Sequence, residues 1–216
     1  MKKAFTMMEL IFVIVIIGIL AAVVIPRTGS NKLREAAIQV VSHIRYTQHL
    51  AMVDDKFDAD DSNWHKRRWQ LLFGTSATHT NGGVAYSIFS DSLTFSGNPG
   101  ISELAKNPMD SSKLLTGGFA GVISYATDSR VTRELNIGEK YGITSVTTTG
   151  CGDAIRIAFD YLGRPIKGDI SDDAAPYISS GTTTSLLTAQ CKFILISDEG
   201  SLDIAIEPET GYAHIL

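Results

Sequence analysis

Between Phe5 and Ile25 only Thr6 and Glu9 interrupt a run of apolar residues, and Gly18 is its one weak helix former. Twenty-one residues at about 1.5 Å of rise make a helix of roughly 31 Å, which predicts a membrane-spanning segment over 5–27 that closes at Pro26 and Arg27. A removable signal sequence would end in small residues followed by polar chain. Ala21 and Ala22 imitate such an end, but Val23, Val24 and Ile25 continue the run, so an anchor is the better reading.

From Asn31 to Val53 the pattern changes. Leu33, Ala36, Ala37, Val40, Val41, Ile44, Leu50 and Ala51 recur at spacings of three and four, while Lys32, Arg34, Glu35, Gln39, Ser42 and Arg45 fall on the other side. This is an amphipathic helix with one face for packing and one for water. Joined to the apolar segment it makes a rod of about 70 Å if unbroken, with Thr28, Gly29 and Ser30 as the place for a bend.

Beyond the rod, strand-like runs occur at Trp64 to Phe73, Val84 to Ser90, Val122 to Ala126, Ala154 to Asp160, Phe193 to Ser197 and Leu202 to Ile206. Turn residues separate them at Gly82-Gly83, Asn98-Pro99-Gly100, Asp198 to Ser201 and Glu209-Thr210-Gly211. The stretch Asn98 to Thr149 is loop-rich, with a short helix expected near Leu104 to Pro108. Regular strand–helix alternation is missing. The predicted fold class is therefore α+β: a long N-terminal membrane-spanning and amphipathic helix packed on an antiparallel sheet. The domains follow as residues 1–4, 5–27, 28–53 and a β-rich domain over 54–216.

Composition narrows the possibilities modestly. A chain of 216 residues with 44% hydrophobic and 19% charged residues has the make-up of a globular protein, and a formal charge of −4 gives no global attraction to polyanions. Glu9 is more informative, because a carboxylate within a membrane helix needs compensation. It could reach water at the interface, or it could pair with a new amine at Phe5, one helical turn earlier.

The string Lys3-Ala4-Phe5-Thr6-Met7-Met8-Glu9-Leu10, followed by the apolar run and Pro26, resembles the N-terminal signature of type IV pilins and type II secretion pseudopilins. The resemblance implies a pilin-like fold. It also implies a leader of residues 1–4 cut after Ala4 by a prepilin peptidase, N-methylation of Phe5, and pairing of Glu9 with the Phe5 amine of an adjacent subunit during assembly. The implied partners are the inner membrane, the prepilin peptidase, other pilin or pseudopilin subunits and an assembly platform. The implied location is a single pass through a bacterial inner membrane, with the C-terminal domain periplasmic, and then a surface or periplasmic filament. Ala4 departs from the glycine the family usually has before the cut. A second similarity, to H-type minor pseudopilins, covers Phe159 to Pro165 and Ile204 to Gly211. In an exported domain, Cys151 and Cys191 are expected to form a disulfide rather than two buried thiols.

The remaining chemistry is sparse. Lys66, Arg67 and Arg68 lie between Trp64 and Trp69, a pattern that fits either a strand protected by charge or contact with a nucleic-acid strand, so DNA is a second candidate partner. Five aspartates between Asp54 and Asp61 lack the glycine and glutamate of a calcium loop and read as a solvated connector. His43 and His49, six residues apart, share no helix face. There is no Gly-x-Ser-x-Gly, phosphate loop or zinc-helix motif. The expectation is a structural subunit that is not an enzyme and carries no cofactor, with a DNA-binding or adhesive minor pilin and a tethered enzyme as alternatives.

Overall fold

A computed structural model describes residues 6–24, 32–92, 94–152, 155–179 and 183–216. The chain divides into two compact units, residues 1–31 and 32–216.

The first unit contributes helix α1 (Met7–Val24). Its start is written in the sequence as Thr6-x-x-Glu9: the Thr6 hydroxyl accepts from the Glu9 amide, and the Glu9 carboxylate accepts from the Thr6 amide, each at 3.3 Å. This reciprocal pairing satisfies two amides that the first turn of any helix leaves without a partner. Among the described residues no helix is long and apolar enough to cross a membrane. That corrects both the membrane-spanning helix and the single-pass inner-membrane location expected from the sequence. The expectation counted the whole run from Phe5 to Ile25 as one span, and both of those residues lie outside the described ones, within which α1 covers Met7–Val24, 18 residues or about 27 Å. The expected cleavage and methylation positions Ala4 and Phe5, and the expected bend at Thr28 to Ser30, lie outside the described residues.

The second unit is α+β. It begins with α2 (Lys32–Val53), and its strands in chain order are β1 (Trp69–Thr75), β2 (Val84–Ser90), β3 (Lys106–Asn107), β4 (Asp110–Leu114), β5 (Ile143–Thr149), β6 (Arg156–Phe159), β7 (Pro165–Lys167), β8 (Cys191–Ser197), β9 (Gly200–Ile206) and β10 (Ala213–Ile215). A one-turn helix, α3 (Ile137–Tyr141), precedes β5. The strands form two antiparallel four-stranded sheets, ordered β2-β1-β6-β7 and β10-β9-β8-β5, with β3 and β4 as a separate ribbon. The single sheet expected from the sequence is thus two.

Helix α2 spans both sheets, packing on β1 and β6 of one and on β8, β9 and β10 of the other. Ala36, Ala37, Val40 and Ile44 are completely buried there, and the two alanines let the helix backbone approach closely. Phe73 on β1 joins the sheets, its ring lying 5.4 Å from both Tyr86 on β2 and Phe193 on β8. Cys151 and Cys191 form a disulfide, with Cα atoms 4.8 Å apart, beside the pairing of β5 with β8.

Four local expectations are corrected. The run from Trp64 to Phe73 opens as a 3-10 turn (Trp64–Arg67) and becomes strand only at Trp69, because Trp64 and Lys66 donate back to the Asp61 and Asn63 carbonyls at 3.1 and 2.9 Å. Val122 to Ala126 is a turn region folded onto itself through Phe119 and Ile123, and no strand forms there. Near Leu104 the helix is a 3-10 turn at Ile101–Glu103, ahead of β3. Finally, part of the expected wet face of α2 is engaged. Gln39 donates to the Tyr86 hydroxyl at 2.9 Å and to the Glu134 carbonyl at 2.6 Å, and Arg45 donates to the Ala213 carbonyl at 2.8 Å.

Candidate assembly helix and basic segment

Every α1 side chain that is described, from Met7 to Ala21, is exposed, and the large apolar ones are spread around all faces. Phe12 is 66% exposed, Val13 43%, Ile14 59% and Val15 53%, and four consecutive residues at 3.6 per turn point in four directions around the axis. A surface helix would turn one apolar stripe inward and leave the rest polar. Helix α2 does so; α1 has no polar face. Such a helix needs apolar cover from elsewhere. Glu9 is its one ionisable residue, held near the start by Thr6, where a negative charge also suits the helix dipole. The arrangement offers an uncovered apolar rod with a single carboxylate at one end.

The structure does not bring Lys66, Arg67 and Arg68 into one basic surface. Arg67 is held by Asp61 and lies 3.9 Å from Asp58, with Phe95 beneath its guanidinium. Arg68 is 3% exposed and sandwiched between Trp64 at 4.9 Å and Tyr177 at 4.5 Å. Burial works against its charge, while Tyr177, Asp160 and Asp173 favour it. Asp160, completely buried, takes two hydrogen bonds at 2.8 Å from Arg164 and another at 3.2 Å from Tyr177. Burial raises the Asp173 carboxyl to about 6, and the buried His65 ring sits 3.3 Å from the Asp173 carbonyl. The interleaved aromatics and cations are thus an internal polar cluster that fastens the 160–177 segment to the start of β1. Of the three, Lys66 and Arg67 remain half-exposed, and Arg67 is paired with Asp61.

The aspartate connector is also occupied locally. Asp54 accepts from the Trp69 indole at 2.8 Å and pairs with Lys56, and Asp55, Asp58 and Asp61 each accept from a backbone amide two residues on. Among the described residues no group of three or more histidine, cysteine, aspartate or glutamate side chains could hold a metal ion. His43 projects from α2 with Nδ1 2.5 Å from the Tyr86 hydroxyl, and burial lowers its pKa to about 4. His49 is exposed.

Sequence reasoning missed Arg156 and Gln48. Arg156 is 6% exposed and Gln48 ties two turns together, donating to the Gly163 carbonyl at 2.7 Å and the Thr210 carbonyl at 2.8 Å. Neither belongs to a motif. No family model, curated protein or solved structure matches the chain.

Proposed function

We propose that the chain is a structural subunit of a filament of the type II secretion pseudopilus or type IV pilus kind, assembled through α1. The observation that carries this reading is the all-round apolar and uncovered surface of α1, which parallel helices of other subunits would cover. The N-terminal resemblance supplies the chemistry. Removal of the leader after Ala4 by a prepilin peptidase would free the Phe5 amine, its methylation would follow, and Glu9 would pair with that amine on a neighbour. An assembly platform and related subunits would be the partners. The disulfide-bonded second unit would form the outer surface, and nothing in this role calls for catalysis.

Glu9→Gln is the informative variant. Glutamine closes the same helix-start pairing with Thr6 but removes the charge. Loss of a charge-assisted pair, worth about 1.5–3 kcal/mol, should lower the yield of sedimentable filaments by about tenfold or more while the second unit stays folded. Filament yield equal to that of the unaltered chain would overturn pairing through Glu9.

A further inference from the structure

Ile38, near the start of α2, and Phe57, just past its end, are large apolar side chains left 54% and 62% exposed. Ile38 borders a groove of about 360 Å³ between α2 and the edge strand β10, where Val41 and Ile215 supply further apolar surface. At about 100° per residue, Arg34, Ile38, Val41 and Arg45 fall within about 60° of one another around the helix, so the two arginines lie on the groove side of Ile38, one before it and one after. Glu35 lies about 120° from Val41, away from β10. Arg45 donates to the Ala213 carbonyl at 2.8 Å, and His214 at the rim is matched by Glu207 at 2.9 Å. Among the described residues neither Arg34 nor Arg45 pairs with a carboxylate. The groove is thus an apolar slot flanked by two uncompensated positive charges.

Phe57 presents the converse. Its ring touches Trp64 edge-on at 5.2 Å and is otherwise open, an aromatic anchor of the kind that interfaces bury. Around it Asp54 is taken by Lys56 and Trp69, and Asp58 and Asp61 by Arg67. Asp55 and Asp60, both exposed, pair with no cation among the described residues. An apolar side chain flanked by two uncompensated negative charges therefore stands at one end of α2, and its complement stands toward the other. Fifteen residues of α2, about 22 Å, separate Ile38 from Val53, and the contacts of Asp54 with Trp69 and of Phe57 with Trp64 hold the connector at the far end. One chain does not bring the two together. A second copy does, and because the two patches differ, the contact is head-to-tail and repeats from copy to copy.

We propose that Phe57 of one copy, with Asp55 and Asp60 beside it, seats in the α2–β10 groove of a second copy between Arg34 and Arg45. The proposal rests on the filament reading, since so small a contact gains its strength from copies already held together by α1. The test puts a photo-reactive phenylalanine analogue in place of Phe57 in the full chain and irradiates the producing cell. The expected product has twice the mass of the chain and joins position 57 to Ile38, Val41 or Ile215. Arg34→Glu, at an exposed position with no side-chain partner, should lower its yield about threefold or more, because it sets like charges against each other. Reversing all four charges in one chain, Arg34→Glu and Arg45→Glu with Asp55→Arg and Asp60→Arg, should restore it. The same experiment with the analogue in place of Ile14 reads α1 association separately. A product from Ile14 with none between position 57 and the groove overturns the docking and leaves the filament reading standing; no product from either position overturns both. A product joining position 57 only to a different protein, a yield unmoved by Arg34→Glu, or no recovery on reversing all four charges also overturns the docking.

Discussion

His43 is half-buried and Asp173 buried, and their effects on stability run in opposite directions with pH. His43 is held neutral where α2 meets Tyr86, so below pH 6.5 the unfolded chain binds a proton that the folded chain refuses until about pH 4. Its contribution is present above pH 6.5 and is lost as pH falls through that window, by about 2 kcal/mol at pH 5. Asp173 has the raised value, about 6, so the folded chain holds its proton longer than the unfolded chain, and stability falls as pH rises from about 4 to 6. Urea denaturation of the unaltered chain and of His43→Gln, compared from pH 7 to pH 5, isolates the first effect. The variant should lose less stability across that range, and parallel curves would contradict the burial of a neutral imidazole. The same residue scale explains why the basic triplet misled. Arg68 enters the interior because Trp64 and Tyr177 offer ring faces, and Tyr177, from a loop more than a hundred residues away, is not foreseeable from spacing along the chain.

Among the elements, α2 was legible almost to the residue, since its stripe of alanine, valine and isoleucine has one period and one purpose. Ile44 is completely buried at the centre of that stripe. Ile44→Ala should cost about 2–5 kcal/mol, read as a lower denaturation midpoint at unchanged slope; a loss below 1 kcal/mol would mean that α2 is not seated on the sheets as described. Strand β2 was equally legible, its whole length being buried. β5 was not. It is an edge strand of its sheet, and Ile143-Thr144-Ser145-Val146-Thr147-Thr148-Thr149 buries only Ile143 and Val146 fully, so its hydrophobic signal is faint and pairing with β8 defines it. The start of α1 is marked by a different signal: hydrophobicity alone marks no ends, whereas the Thr6-x-x-Glu9 pairing fixes where the helix begins.

At the scale of the molecule, the two units differ in what stabilises them. The second has its own core and a disulfide closing 40 residues of sequence. Replacing both Cys151 and Cys191 with alanine should lower its stability by about 4 kcal/mol in the chain-entropy account, measured by chemical denaturation beside the oxidised parent. A loss near zero would show that the strand pairing of β5 with β8 alone suffices. Among the described residues of the first unit, the side chains of α1 from Met7 to Ala21 are all exposed. Filament assembly through that helix is the central claim, and a photo-reactive residue in place of Ile14, midway along α1, tests it most directly. After irradiation in the producing cell, the account predicts a covalent product joining Ile14 of one chain to the apolar helix of another copy or a related subunit, identified by mass spectrometry. A chain that remains monomeric, or that joins only to its own residues 32–216, would contradict it.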